Sequence, residues 1–455
     1  MDYFVEYTVL MRIILVLLLS TVFLCSAGCR RPDLNQPDGM AVSLQGPIQC
    51  SPQPPPELNE LAWVTTPCQV DACVIRNLPT GHGEHWTNMA DGCLASNGKF
   101  YTGIGNCLEF AGGLGHSRLY EYDPAARKLR MVADIRDVIG DPTIAAGKLH
   151  SRIDEGSDGW LYFTTYWGQD PEESDKPAFK GSALMRFDPR SGKCEYLGTP
   201  APSQGLPSSR LDARRMILYT VMVPGNEFLA YDLRAGKVKY RGSGEILQGN
   251  RHVMLDASGK AYFSTTGGAL AQYDPNANTV RITQAILPRT PALAKAGKTD
   301  SLRASAEPTA DGMVYGITTA GELFAFDPAN ETVKDLGPDI GDGEYAVVLC
   351  ASRDGKHLYY GLTSADGPGK YLCPIIQYET ATGRRKLLVP LNLLLQAAPF
   401  MEYRASRLYN MRISQDGSTL CCTFNGAPVA AAGQKQEEFL QPAVVAIHIP
   451  ESERR

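Results

Sequence analysis

The stretch ASGKAYFSTTGGALAQYDPNANTV (residues 257–280) contains two signals that recur along the chain. The first is a small-polar-Gly turn, Ala257-Ser258-Gly259, leading into an apolar run through Tyr262-Phe263. The second is an aromatic-acid-Pro turn, Tyr273-Asp274-Pro275. The second signal returns as Tyr122-Asp123-Pro124, Phe187-Asp188-Pro189, Tyr231-Asp232-Leu233, Phe326-Asp327-Pro328 and Tyr378-Glu379-Thr380, with successive intervals of 65, 44, 42, 53 and 52 residues. The first returns at Ser157-Asp158-Gly159, Asp311-Gly312, Asp354-Gly355 and Asp416-Gly417. A seventh copy lacks the acidic turn and ends in Val444-Val445-Ala446-Ile447.

The residue types at these turns do structural work. Asp accepts from turn backbone, Pro presets φ, and Gly192, Gly236 and Gly383 supply the left-handed residue that closes a hairpin loop. Repeating units of about 52 residues with four short strands each, arranged radially, make a β-propeller. The expected fold is all-β: one seven-bladed propeller over residues 61–450. The last unit offers only three strands, so residues 61–78, with runs at Trp63-Val64-Thr65 and Cys73-Val74-Ile75, are expected to add the missing strand and close the ring. Leu391 to Leu395 reads as one short helix. The motifs resemble those of seven-bladed propellers with YVTN-, kelch- or quinoprotein-like repeats, and the whole resembles propeller lipoproteins of bacteria. That resemblance implies architecture rather than activity.

Outside the repeat, residues 13–24 (IILVLLLSTVFL) follow Met11-Arg12 and precede Ser26-Ala27-Gly28-Cys29. An apolar run this short, with small residues after it, reads as a signal peptide over residues 1–28 with Met11 as the true start. Cys29 sits in a lipobox-like setting, which implies a lipidated N-terminus, a protein exported to the bacterial cell envelope (outer membrane-anchored or periplasmic), and membrane attachment by lipid alone. Residues 29–60, densest at Pro52-Gln53-Pro54-Pro55-Pro56, read as a Pro-rich tether, and residues 451–455 as a tail. Removing residues 1–28 leaves ten cysteines besides Cys29, a number compatible with full disulfide pairing in an exported protein.

The chain has 455 residues, a net charge of −5 and 44% hydrophobic residues, which excludes a disordered chain and a general nucleic-acid-binding field. A local cationic site remains open. Loops leading into innermost strands carry His150 and Arg152, Arg210, Arg251 and His252, Arg303 and Glu307, Tyr345, and Arg407 with Tyr409. Convergent Arg suits carboxylate or sulfate. Trp160, Tyr166 and Trp167 could stack on sugar rings. A uronate carbohydrate fits this mixture, and cleavage by β-elimination would need a neutralising cation, a base and an acid. Arg152, Arg210, Arg251, Arg303, Trp167 and Tyr345 are the candidate substrate-binding residues. His150 or His252 is the candidate base and Tyr166 the candidate acid. Ulvan and oligogalacturonate lyases, also propellers, use residues of these types. Two other readings stand beside this one. One is a non-catalytic scaffold for an envelope protein. The other is a metal-dependent lactonase or lyase with His82 and His85 as weak ligand candidates. The cofactor is unknown from the sequence, a hydrophobic pocket for an apolar one is not indicated, and a monomer is expected.

Overall fold

A computed structural model describes residues 39–45, 61–76, 78, 85–108, 115–166, 179–248, 252–340, 346–362, 372–395, 400, 402–431 and 433–454. The expected signal peptide and Cys29 therefore lie outside the described residues, as do Trp167, Arg251, Tyr345 and His82.

The described strands form seven blades, six running from an innermost to a fourth strand in chain order and the last taking its fourth strand from the N-terminal side. The innermost strands are Cys93–Leu94, Asp154–Glu155, Arg210–Asp212, Met254–Leu255, Leu302–Ser305, Ala346–Ala351 and Tyr403–Ile413. In the second blade Lys148–Leu149 also pairs with the second strand. The small-polar-Gly turns join first to second strands, and the aromatic-acid turns join third to fourth strands. Both sets lie at the end of the ring opposite the loops that lead into the innermost strands.

The turn acids do what their chemistry predicts. Asp274 accepts from the Asn276 and Ala277 amides at 2.8 and 3.2 Å, and Asp327 from Ala329 and Asn330 at 2.9 and 3.2 Å. The closing residue is left-handed in all six turns: Gly192, Gly236 and Gly383, but also Arg127, Asn278 and Glu331, at φ between 53° and 73°. Glycine is thus favoured at this position without being required.

The ring closes as expected from the last unit. Gln69–Val74 pairs antiparallel with Ala443–His448, placing Ala72 opposite Val445. Alternation divides this strand between two cores. Val70, Ala72 and Val74 pack with Val445, Ile447 and Cys422, while Cys73 and Ile75 pack with Phe100, Val444 and Cys421. Cys421 and Cys422 thereby face opposite sides, as neighbours in a strand must. Buried polar groups then join the last blade to the first. Thr423 donates to Thr102 at 2.8 Å, and Asn88 and Asn425 exchange hydrogen bonds of 2.7 and 2.8 Å.

Three expectations need correcting. The run at Trp63 does not close the ring; Ala62–Trp63 lies parallel to Arg385–Pro390 in the sixth blade. Part of the expected tether is paired: Gly39–Met40 adds to the first blade and Val42–Gln45 to the last. Outermost strands present unpaired backbone groups, and these short segments cover them. Residues 451–455 are also more than a tail, because Glu451–Glu453 forms a 3₁₀ turn with Glu453 buried. The helix Leu391–Leu395 is present. Two further short helices, Ile135–Ile139 and Pro291–Lys295, sit between blades. The nine described cysteines are all free thiols, so full disulfide pairing does not occur among them.

Candidate functional site

The loops leading into the innermost strands surround a cavity of about 470 Å³ at the ring axis. That volume lies in the small-ligand range. Its lining brings together His150, Arg152, Arg210, His252 and Arg303 from the second to fifth blades. Lys148, Asp91, Ser305 and Tyr409 join them. Four cations thus line the cavity against one carboxylate among the described residues.

Buried hydroxyls fix the loop 206–209, and this loop positions His150. Leu206 receives a hydrogen bond from Thr164 at its carbonyl (2.9 Å) and gives one from its amide to Ser182 (3.0 Å). Thr220 donates to the Ser208 carbonyl and Ser209 to that of Arg152. The Pro207 carbonyl is thereby held 2.6 Å from His150 Nδ1 and can only accept. Nδ1 therefore carries the proton, and in the neutral ring Nε2 is the basic nitrogen.

His252 is set differently. Ser305 Oγ accepts from Arg210 Nη1 at 3.4 Å and shares a hydrogen bond of 3.1 Å with His252 Nε2. Burial pushes the His252 pKa well below its ordinary value, and Arg210, Arg303, Arg152 and Arg412 add to the effect. A neutral, weakly basic imidazole suits a hydrogen-bonding part better than that of a base. Of the two candidate bases, His150 fits the part.

Arg210 is the most constrained cation. Its side chain is 3% exposed. Nη2 reaches Glu307 at 3.2 Å, Nε lies 3.9 Å from Asp154, and Nε is buried without a hydrogen-bond partner. Burial and then Arg152 depress its pKa to about 9. Arg152 is ion-paired to Asp154 at 2.6 Å and to Glu307, and burial followed by Arg412 lowers its pKa as well. Arg412 pairs with Asp91 and donates to the Gly92 carbonyl at 2.9 Å. Cations from three blades therefore meet in low dielectric and oppose one another's charge, and a bound anion would relieve this.

Several expected residues lie elsewhere. Tyr166 is fully buried and does not line the cavity; its ring packs edge-on to His150 at 5.1 Å. It supports that imidazole and does not reach a ligand as the acid. Trp160 lies in the turn at the far end of its blade, with the Arg186 guanidinium 4.2 Å from its ring centre. Arg407 is held by Glu438 at 2.8 Å, beside the Phe439 ring. Glu307 pairs with the cavity arginines without lining the cavity. His85 is exposed, and the described residues contain no cluster of three or more His, Cys, Asp or Glu suited to a metal ion.

Lys148, Ser305 and Arg412 were not singled out from the sequence, and Asp91 only as a helper to a metal at His82 and His85. Asp91 had a usable signal, since it precedes its innermost strand by two residues, like Arg152 in the second blade. Arg412 lies inside a long strand, and its inward direction follows only from the register.

No protein-family description matches the sequence, and no curated protein matches it. Among solved structures the chain is similar to an oligogalacturonate lyase in complex with manganese, with a TM-score of 0.50, 11% identity, and coverage of 87% of this chain and 96% of that one. It is also similar to the WD40 repeats of RRP9 and to U3-55K, each with a TM-score of 0.49, 10% identity, and coverage of 83% of this chain and 98% of the other. At such identities the likeness shows the fold alone.

Proposed function

We propose that the axial cavity binds an acidic, uronate-type carbohydrate and supports its cleavage by β-elimination. The observation that carries this reading is Arg210: a guanidinium buried on the cavity, with an unsatisfied Nε, beside Arg152, Arg303 and the oriented His150. Asp154 lies 3.9 Å from that Nε, beyond hydrogen-bond reach, and a ligand carboxylate would supply the acceptor Nε does not have. Arg210 or Arg303 neutralises the uronate carboxylate, which makes the adjacent carbon acid stronger. His150 Nε2 removes that proton, the bond to the leaving oxygen breaks as the ring double bond forms, and a proton is returned to the leaving oxygen. Tyr409 is the phenol on the cavity, and we assign it this last part.

A panel of uronate polymers and oligomers tests the reading through the ultraviolet absorbance of new unsaturated ends. Product is expected from at least one, with loss in His150→Asn and in Arg303→Ala. Absence of product and of measurable binding across the panel overturns it. From the leader-like residues 13–29 we also place the protein in the bacterial envelope, anchored through Cys29. Labelled palmitate should be incorporated into the wild type and not into Cys29→Ser.

A further inference from the structure

Glu307 occupies an unusual position for a site that binds anions. It comes from the fifth blade and pairs with Arg152 of the second and Arg210 of the third. Both guanidiniums line the cavity, and Glu307 does not. Its side chain is 56% exposed, while those of Arg152 and Arg210 are 11% and 3% exposed. Asp154, their other carboxylate, is 12% exposed and also accepts from the Leu211 amide at 2.9 Å, so it is tied into the strand framework. Among the described residues no such backbone bond ties the Glu307 carboxylate, which is the most exposed member of this set.

Resting on the reading of the cavity as an anion site, we propose that Glu307 is a built-in counter-ion that sets its affinity. The ligand's anionic group and the Glu307 carboxylate compete for the charge of the same two guanidiniums, one from the cavity and one from outside it. Glu307 keeps the arginines paired when the cavity is empty. It also weakens anions that rely on charge alone, so that a ligand with further contacts, such as a uronate with its hydroxyls, is the one retained.

Titration calorimetry on the full chain, with inorganic sulfate and with galacturonate as probes, tests this. A unit charge about 7 Å away at an effective dielectric of about 20, discounted because the carboxylate is more than half exposed, predicts about tenfold tighter binding of singly charged galacturonate in Glu307→Gln, and a larger gain for doubly charged sulfate. Glu307→Asp keeps the charge but shortens its reach, and about two- to threefold tightening is expected. This milder variant decides the question if the glutamine variant does not fold. Sulfate should gain more than galacturonate, because it carries two negative charges against one. Wild-type binding with unchanged affinity in the folded variants overturns the role of Glu307 and leaves the cavity reading intact. Failure of wild type and variants alike to bind either probe overturns both.

Discussion

Glu453 offers the sharpest test of how this ring is held. Its carboxylate is fully buried. It accepts from the Thr65 amide at 2.7 Å, the Thr65 hydroxyl at 2.5 Å, the Thr66 amide at 3.2 Å and Lys386 Nζ at 2.6 Å. Its own backbone carbonyl receives Gln377 Nε2 at 2.6 Å. One residue thus ties the C-terminus to the segment before the closing strand and to the sixth blade. Glu453→Ala leaves Lys386 and two amides without their partner. Removing one member of a buried pair costs about 3–5 kcal/mol, and each hydrogen bond to a charged group about 1.5–3 kcal/mol. Lys386 is 19% exposed and can recover some hydration, so a loss of about 3 kcal/mol is expected.

Urea denaturation followed by tryptophan fluorescence reads this as a lower midpoint with an unchanged slope. Burial pushes the Glu453 carboxyl up, but Lys386, Thr65 and the two amides outweigh it, and the net shift is downward. The stabilisation is therefore present above the ordinary carboxyl range and is lost as pH falls through the folded-state value. The gap between wild type and Glu453→Ala should be constant above about pH 5 and shrink towards about pH 3. A loss below about 1 kcal/mol, or a gap independent of pH, refutes the clasp.

Arg210→Met should abolish anion binding while leaving the urea midpoint unchanged or raised, since it removes a buried charge whose main partner is half-exposed. A lowered midpoint together with retained binding contradicts the assignment. Gly236→Ala, at φ 63° with open space around the added methyl, should cost about 1 kcal/mol from backbone strain alone, measured by the same denaturation. Burial pushes the thiols of Cys93 and Cys421 up to about 12, so neither should react with a maleimide at neutral pH until urea unfolds the chain; mass spectrometry of labelled peptides checks this.

Much of the fold was legible because the signals are local. An Asp that accepts from its own turn, or a left-handed closing residue, acts within five positions, and six such turns 42 to 65 residues apart, with a seventh copy that lacks the turn, count the blades. The missing fourth strand of the last unit was legible by the same counting. The identity of that strand was less so, since both Trp63-Val64-Thr65 and Cys73-Val74-Ile75 have β character. Only the packing of Val70, Ala72 and Val74 on one face and Cys73 and Ile75 on the other selects the second run.

The site divides in the same way. Register counting along the sequence brought His150, Arg210, His252 and Arg303 to equivalent positions, and ring closure carries equivalent positions to one axis. What each does there depends on neighbours far away in the chain, 57 residues for His150 and Pro207 and 155 for Arg152 and Glu307. Pro207 orients His150, burial and the surrounding arginines push the His252 pKa down, and Glu307 balances Arg152 and Arg210. Tyr166 shows the limit most plainly. It follows His150 closely in sequence, yet strand pairing buries it behind the imidazole it was expected to complement. Turn chemistry and strand count were written in the sequence because they are short-range. Burial, pairing and charge balance at the axis were settled by the tertiary structure because they depend on which blades face one another.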